Sequence, residues 1–222
     1  MCIRDRAHTD RDLPGVVVYY YTGLDVTSTI TNLADYANTH PYPSQGRQPS
    51  ARVDSDFIRF FKMTAPYPKV ITETGYFNVP TASGGVDDTT QAKNTLNLYL
   101  DAFGQGVSTT YVYQLLSAYP DSSADTQYGL FRIDHTPKPV ATAIHNLTTV
   151  LADPGQPKVQ PGQLAYTISG LPDSGKTLLL QKSTGVFDLV VWAEPRNWSD
   201  STHSPINVMP RNVDLELGAT CK

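Results

Sequence analysis

The sequence predicts an α/β fold followed by a small antiparallel β-sandwich, and three observations carry that expectation. Short β-rich runs alternate with longer helical patterns up to about residue 152. Beyond that point only β-type runs separated by turns occur. Between the two lies a Pro- and Gly-rich stretch, residues 153–162, which reads as a linker. The chain therefore divides into an α/β part at 13–152, the linker, and a β part at 163–222.

Residues 15–21, dense in Val and Tyr, follow the turn-like Asp12-Leu13-Pro14 and read as the first strand. Residues 33–39 give a second. After a loop of Pro, Ser and Gly, residues 54–62 place Phe57, Ile58, Phe60 and Phe61 at helical spacing, with Asp54 or Ser55 as the cap. Residues 69–72 form the third strand. At 87–103, Ala92, Leu96, Tyr99, Leu100 and Phe103 make one stripe of an amphipathic helix. Residues 107–116 are the fourth strand. Thr136-Pro137-Lys138-Pro139 offers a Thr cap and a Pro at the first helical position, opening a helix through Val140, Ile144, Leu147 and Leu151. Four successive βα units favour a parallel sheet with right-handed helical crossovers. In the β part, 164–168, 177–182, 187–192 and 213–217 read as strands, with Ser183-Thr184-Gly185 as a turn.

Composition narrows the function classes. The 222-residue chain has a formal net charge of −4, and its 17 Lys and Arg residues are scattered, which argues against nucleic acid and anionic membrane surfaces as partners. No apolar run approaches the roughly 20 residues that span a bilayer. Cys2 and Cys221 stand near the two ends, too few for a disulfide framework, and either pair as a terminal staple or stay free. Asn146-Leu147-Thr148 and Asn197-Trp198-Ser199 are glycosylation sequons that matter only in a eukaryotic secretory route. Met1-Cys2-Ile3-Arg4-Asp5-Arg6 reads as translated adaptor sequence, so residues 1–12 are set aside as that artefact plus a helix remnant. No signal-peptide pattern opens the chain, and the natural N-terminus is expected upstream.

Several motifs are excluded. Gly170-Leu171-Pro172-Asp173-Ser174-Gly175-Lys176-Thr177 fits the letters of a phosphate-binding loop, but such a loop needs a helix after it. Here a short strand pattern follows, so a polar turn is expected and no nucleotide cofactor. His8, His40, His135, His145 and His203 are isolated and lack metal-ligand spacing, so no metal is expected. No Gly-x-Ser-x-Gly elbow is present.

The chemistry points to Glu73, a carboxylate at the end of the third strand in Ile71-Thr72-Glu73-Thr74-Gly75-Tyr76. Lys69, Ile71 and Glu73 share one strand parity, and Gly75 lets the chain turn away. Taken locally, Glu73 is either a site residue or a surface glutamate of a βα loop. The segment 68–76 resembles the seventh-strand nucleophile motif of the clan A glycoside hydrolases, the group that includes families 5 and 39. Asn38-Thr39-His40-Pro41-Tyr42-Pro43 resembles the end of their sixth strand. Tyr111-Val112-Tyr113-Gln114-Leu115-Leu116, with Tyr128-Gly129-Leu130-Phe131 and Thr136-Pro137-Lys138-Pro139, resembles the eighth strand, its loop and the last helix. The resemblance covers about residues 13 to 152, and Val190-Val191-Trp192-Ala193-Glu194 is similar to appended β-domains of such enzymes.

That resemblance implies the second half of a (β/α)8 barrel, whose C-terminal rim carries the catalytic groups. It implies a secreted retaining glycosidase acting on a β-linked polysaccharide or glycoside, with Glu73 as nucleophile. The acid/base Glu of the family, in an Asn-Glu pair on the fourth strand, would precede this chain, which contains no such dipeptide, so the chain alone is expected to be inactive. Tyr42 is expected to hydrogen-bond Glu73 and favour its charged form, His40 to do the same or to contact a sugar hydroxyl, both in the substrate-binding set, or either to pack at the rim instead. Tyr113 and Gln114 stand where the family commonly has a Trp sugar platform, and strand alternation sends one of them inward. Asp121 and Asp134 are assigned no proton transfer, Asp134 reading as a turn residue. Which β-glucan, xylan, mannan or small glycoside is bound stays open, as do transglycosylation and the oligomeric state. The competing expectation is a non-catalytic carbohydrate-binding or cell-surface interaction module, suited by the Tyr-rich composition.

Overall fold

The computed structural model describes residues 35–61, 68–120, 127–155 and 160–218. The expected strand at 15–21, both cysteines and Asp121 lie outside them. Three parallel strands, β1 (Ala37–Thr39), β2 (Lys69–Thr74) and β3 (Val107–Val112), form one sheet in the order β1-β2-β3. Their crossovers carry α1 (Ser50–Phe61) and α2 (Asp88–Gly104), and α3 (Pro139–Val150) follows β3. Each is longer than a hairpin connection because parallel neighbours need a crossover. Val53 and Phe57 of α1, Ile71 of β2, Ala102 of α2 and Val107 of β3 pack as one buried cluster between sheet and helices.

The helix starts differ from the sequence expectation in two places. Helix α1 begins at Ser50, ahead of the expected Asp54 or Ser55 cap. The Pro49 carbonyl accepts from the Arg52 and Val53 amides at 2.9 Å each. Glu194, distant in sequence, accepts from the Ser50 amide at 3.4 Å. A tertiary carboxylate therefore serves one of the free N–H groups at the helix start, that of Ser50, where a local side chain was expected to serve. Helix α3 is capped by Lys138 without a side-chain bond, and Pro139 takes the first turn. Thr136 is unavailable as a cap because its hydroxyl donates to Asp134 Oδ1 at 2.6 Å in a tight turn. Helix α2 starts as expected, with Asp87 Oδ1 accepting from the Thr90 amide at 2.7 Å.

The buried face of α2 is wider than the expected stripe, of which Ala92 and Leu100 are buried and Leu96 and Tyr99 half-buried. Phe103 is 57 % exposed, whereas Leu98, Gln91, Asn94, Thr95 and Asp101 are buried. The helix is covered on two sides, by the sheet and by a segment of the β part around Asn197, so hydrophobic periodicity alone misses the second face. Asn94 donates to the Gly46 carbonyl at 3.2 Å, and Asn197 donates to Asn94 Oδ1 at 2.7 Å. Asn197, one of the two sequon residues, thus has its amide nitrogen engaged with α2.

Beyond residue 160 the strands form small antiparallel sheets. β4 (Tyr166–Ser169) pairs with β9 (Asp214–Leu217), β5 (Gly175–Gln181) with β6 (Phe187–Ala193), and β7 (Trp198–Ser199) with β8 (Ser204–Pro205). The 170–177 motif runs through a turn, with Gly170 at φ 80°, into β5, where Lys176 pairs with Trp192. No helix follows it. The Lys176 ammonium contacts Asp101 of α2 and lies 3.1 Å from Glu194 Oε1. Trp198 is buried with Tyr76, Val86 and Leu98, so the β part and the α/β part share a core. Among the described residues no helix is long and apolar enough to cross a membrane.

Candidate active site

Glu73 lies on β2 beside the C-terminal end of the sheet, but it does not share the environment of Ile71. Between Ile71 and Thr74 the register on β3 advances only from Thr110 to Val112, so β2 carries one extra residue there. Such a bulge breaks the two-residue alternation and re-aims a side chain. Ile71 packs in the helix-facing core. Glu73 instead meets the chain that leaves β1.

Both Glu73 oxygens are held. The Tyr42 hydroxyl donates to Oε1 at 2.5 Å, and His40 Nδ1 lies 3.1 Å from Oε2. Burial, reinforced by the Glu73 hydrogen bond, raises the Tyr42 phenol well above the ordinary tyrosine range. Tyr42 therefore keeps its proton and acts as a donor. His40 Nε2 lies 2.8 Å from Thr72 Oγ1, and Asn38 Oδ1 accepts from the Thr72 amide at 3.1 Å and from its hydroxyl at 3.0 Å. Asn38 and Thr72 thus orient the imidazole from the sheet, leaving its other nitrogen for the carboxylate. With side-chain exposures of 37 % for Glu73 and 19 % for His40, the carboxylate is oriented yet reachable from solvent.

The turn after Glu73 has a steric cause. A methyl on Gly75 would stand 2.4 Å from the Tyr113 carbonyl oxygen, because the ends of β2 and β3 come together there. The Tyr113 amide donates to the Thr74 carbonyl at 2.6 Å. Glycine is needed here for close approach, in addition to the expected change of chain direction.

Tyr113 and Gln114, joined by a cis peptide bond, diverge. The Tyr113 ring centroid is 5.7 Å from that of Tyr128, which is 5.4 Å from Tyr42. Gln114 is tied to the loop opposite: its carbonyl accepts from the Leu130 amide at 2.8 Å, and its amide donates to the Tyr128 carbonyl at 3.4 Å. Its side-chain nitrogen is buried without a hydrogen-bond partner among the described residues. The structure brings His40 and Tyr42 onto Glu73, links Tyr113 to them through an aromatic ring, and ties Gln114 to the loop.

Three residues of the site carried no role in the sequence. Asn38 and Thr72 were visible only as members of motifs, and nothing local distinguishes a Thr that supports a histidine from a β-branched strand residue. Tyr128 was visible beside Gly129. Among the described residues no group of three or more His, Cys, Asp or Glu is placed to hold a metal ion.

No family model matches the sequence, and no curated protein matches it. Solved structures do. A family 39 glycoside hydrolase from the gut symbiont Bacteroides cellulosilyticus WH2 is 16% identical, with 72% of this chain and 34% of that one covered and a TM-score of 0.49. The beta-glucuronidase of Bifidobacterium dentium is 14% identical, covering 55% of this chain and 22% of that one, with a TM-score of 0.43. The beta-1,3-glucanosyltransferase of Rhizomucor miehei is 14% identical over 48% of this chain and 42% of that one, with a TM-score of 0.40. The chain spans less than half the length of each of these structures.

Proposed function

We propose that this chain is part of a retaining glycoside hydrolase in which Glu73 is the nucleophile, acting on a β-linked polysaccharide or glycoside. The observation that carries the reading is the double clamp on Glu73: a phenol donor on one oxygen and an imidazole on the other, at the end of a parallel strand. A carboxylate so held is fixed in orientation without being sealed from water. The resemblance of segments 38–43, 68–76 and 111–116 to clan A motifs supports the same assignment.

In the proposed reaction a Glu73 oxygen attacks the anomeric carbon, and the glycosidic oxygen leaves with the bonding pair and a proton from an acid. Water then attacks the same carbon, the ester C–O bond breaks, and the Glu73 carboxylate is regenerated while a base takes the proton. The acid and base are one carboxyl group, which in retaining enzymes stands roughly 5–5.5 Å from the nucleophile. We assign it to a segment preceding this chain, which we read as the second half of a (β/α)8 barrel. His40, Tyr113 and Gln114 are the residues we place against the sugar.

The test avoids the need for that acid. A 2,4-dinitrophenyl 2-deoxy-2-fluoro glycoside expels its phenolate without protonation, so the nucleophile alone forms a lasting ester. Incubating the parent protein, carrying its upstream segment, with β-gluco, β-xylo and β-manno versions should add one fluoroglycosyl mass, mapped by peptide fragmentation to Glu73 and absent in Glu73→Gln. A chain unmodified across the panel, or a label on another residue, overturns the assignment and favours a binding module.

A further inference from the structure

Tyr42 is the donor that orients Glu73, but it lies beyond β1, outside the ladder of the sheet. Residues 40–43 follow the three-residue strand β1 and belong to no regular element. The ring that meets it belongs to Tyr128, in the loop before α3. Tyr128 stands edge-on to Tyr42 at 5.4 Å and 75°, edge-on to Tyr113 at 5.7 Å and 66°, and tilted against Phe77 at 5.8 Å. These separations and angles are those at which aromatic edges and faces attract. One ring thus joins the segments following β1, β2 and β3.

The backbone beneath that ring is tied down. Gln91 of α2, itself buried, donates from Nε2 to the Tyr76 carbonyl at 3.1 Å and the Tyr128 carbonyl at 3.4 Å. The Asn78 amide donates to the Gln127 carbonyl at 3.0 Å, fixing the residue before it. A methyl on Gly129 would stand 2.1 Å from the Ser117 amide nitrogen, so the residue after it lies pressed against the chain leaving β3. Tyr128 is a ring on a rigid mount, and Tyr42 is a ring on an irregular segment.

We propose that Tyr128 is a positioning residue for the Glu73 carboxylate, acting through the ring contact that holds the Tyr42 hydroxyl on Oε1. The proposal rests on the reading of Glu73 as the nucleophile for its catalytic meaning, but not for its structural test. Tyr128 need not touch substrate. Its ring sets where the phenol can point, and the phenol sets where the carboxylate can point.

The sequence makes a direct test practical, because it contains only three glutamates, Glu73, Glu194 and Glu216. Carboxyl-13C-glutamate labelling of the full chain gives three side-chain resonances, and Glu73→Gln assigns one. Tyr42→Phe should move the Glu73 resonance by removing its donor. Tyr128→Ala should move it in the same direction by most of that amount, Tyr128→Phe should leave it in place, and Tyr42→Phe with Tyr128→Ala should equal Tyr42→Phe alone. Tyr128→Leu serves if the alanine variant does not fold, since it keeps apolar bulk without aromatic edges. A resonance unmoved in the Tyr128→Ala or Tyr128→Leu variant, a Tyr128→Phe shift as large as that of Tyr128→Ala, or additive shifts in the double variant overturns the proposal. A merely structural role lowers the melting temperature without moving the resonance. Fluoroglycoside labelling reads the nucleophile separately, so failure of either idea leaves a distinct result.

Discussion

Replacing Lys176 with Met tests how the β part grips the α/β part. Lys176 is the cation between two carboxylates that are nearly out of solvent, Asp101 at 2 % side-chain exposure and Glu194 at 3 %, while Lys176 itself is 32 % exposed. At the 3.1 Å separation of Lys176 and Glu194 a unit pair attracts by about 5 kcal/mol at an effective dielectric of 20. Stranding buried charges by removing one partner costs about 3–5 kcal/mol, and the partial exposure of Lys176 places this case near the lower end, about 3 kcal/mol. For a chain of this size that is a fall of roughly 6–12 °C in melting temperature. The cost should depend on pH. Burial, then the hydrogen bond with Glu194, holds the Asp101 carboxyl well above the usual carboxylate range, so its folded form binds the proton more tightly than the unfolded chain does. That group's contribution is favourable at low pH and is lost as pH rises from the unfolded carboxylate range to its folded value. Lys176 opposes that shift. Without it, the deficit should be larger at about pH 8 than at about pH 5, where protons replace the missing cation. Thermal melts followed by tryptophan fluorescence, with Trp192 donating to Glu194 Oε1 at 3.2 Å, read this directly. A deficit below about 1 kcal/mol, or one equal at both pH values, refutes the reasoning.

Two further predictions address the junction and the strand ends. Trp198→Ala should cost about 3–5 kcal/mol, as for other large buried aromatics, because Trp198 fills the space between Tyr76, Val86 and Leu98; a urea unfolding midpoint unchanged from wild type refutes it. Gly75→Ala should cost about 1–3 kcal/mol by forcing apart the ends of β2 and β3, and it should slow fluoroglycoside labelling of Glu73 even where the variant is folded. A labelling rate equal to wild type would show that the close approach at Tyr113 does not set the site.

Legibility in the sequence followed the range of the forces involved. Strand β2, the extent of helix α2 and the Glu73-Thr74-Gly75 ending are local patterns, specified by residues adjacent in the chain. The two helix starts are not, because the donors at α1 are served by Glu194, whose relation to Ser50 is purely tertiary. The stripe on α2 was only part of its buried face for a related reason: Gln91, Asn94 and Asp101 are polar letters that become interior only when another part of the chain supplies partners. At the site, His40, Tyr42 and Glu73 were singled out by a family resemblance, and the structure brings them together. The strand parity used for Glu73 did not hold, since one extra residue between Ile71 and Thr74 is invisible to counting by twos. Asn38 and Thr72 were unreadable because supporting a histidine requires no distinctive residue type.

The β part bears on the site through the loop that joins Tyr42 to α1. Tyr76, on the far side of Gly75, donates to the Arg47 carbonyl at 2.9 Å, and Asn94 donates to the Gly46 carbonyl at 3.2 Å. Gly46, at φ 63°, lies so close to Trp198 that a methyl there would stand 2.4 Å from the Trp198 Cβ. Gln48 donates to the Pro195 carbonyl at 2.8 Å, and Glu194 accepts from Ser50. Residues 46–50 are therefore pinned from the α/β side by Tyr76 and Asn94 and from the β side by residues 194–198. Tyr42 lies a few residues before this pinned stretch, and Tyr128 meets its ring from the opposite direction. An irregular segment keeps a hydrogen-bond donor in place best when both its ends and its side chain are restrained, because loop backbone has no ladder of its own. Here β1 supplies one end, the residue 194–198 segment braces the other, and Tyr128 meets the ring, so the β part acts as a support for the Tyr42–Glu73 hydrogen bond.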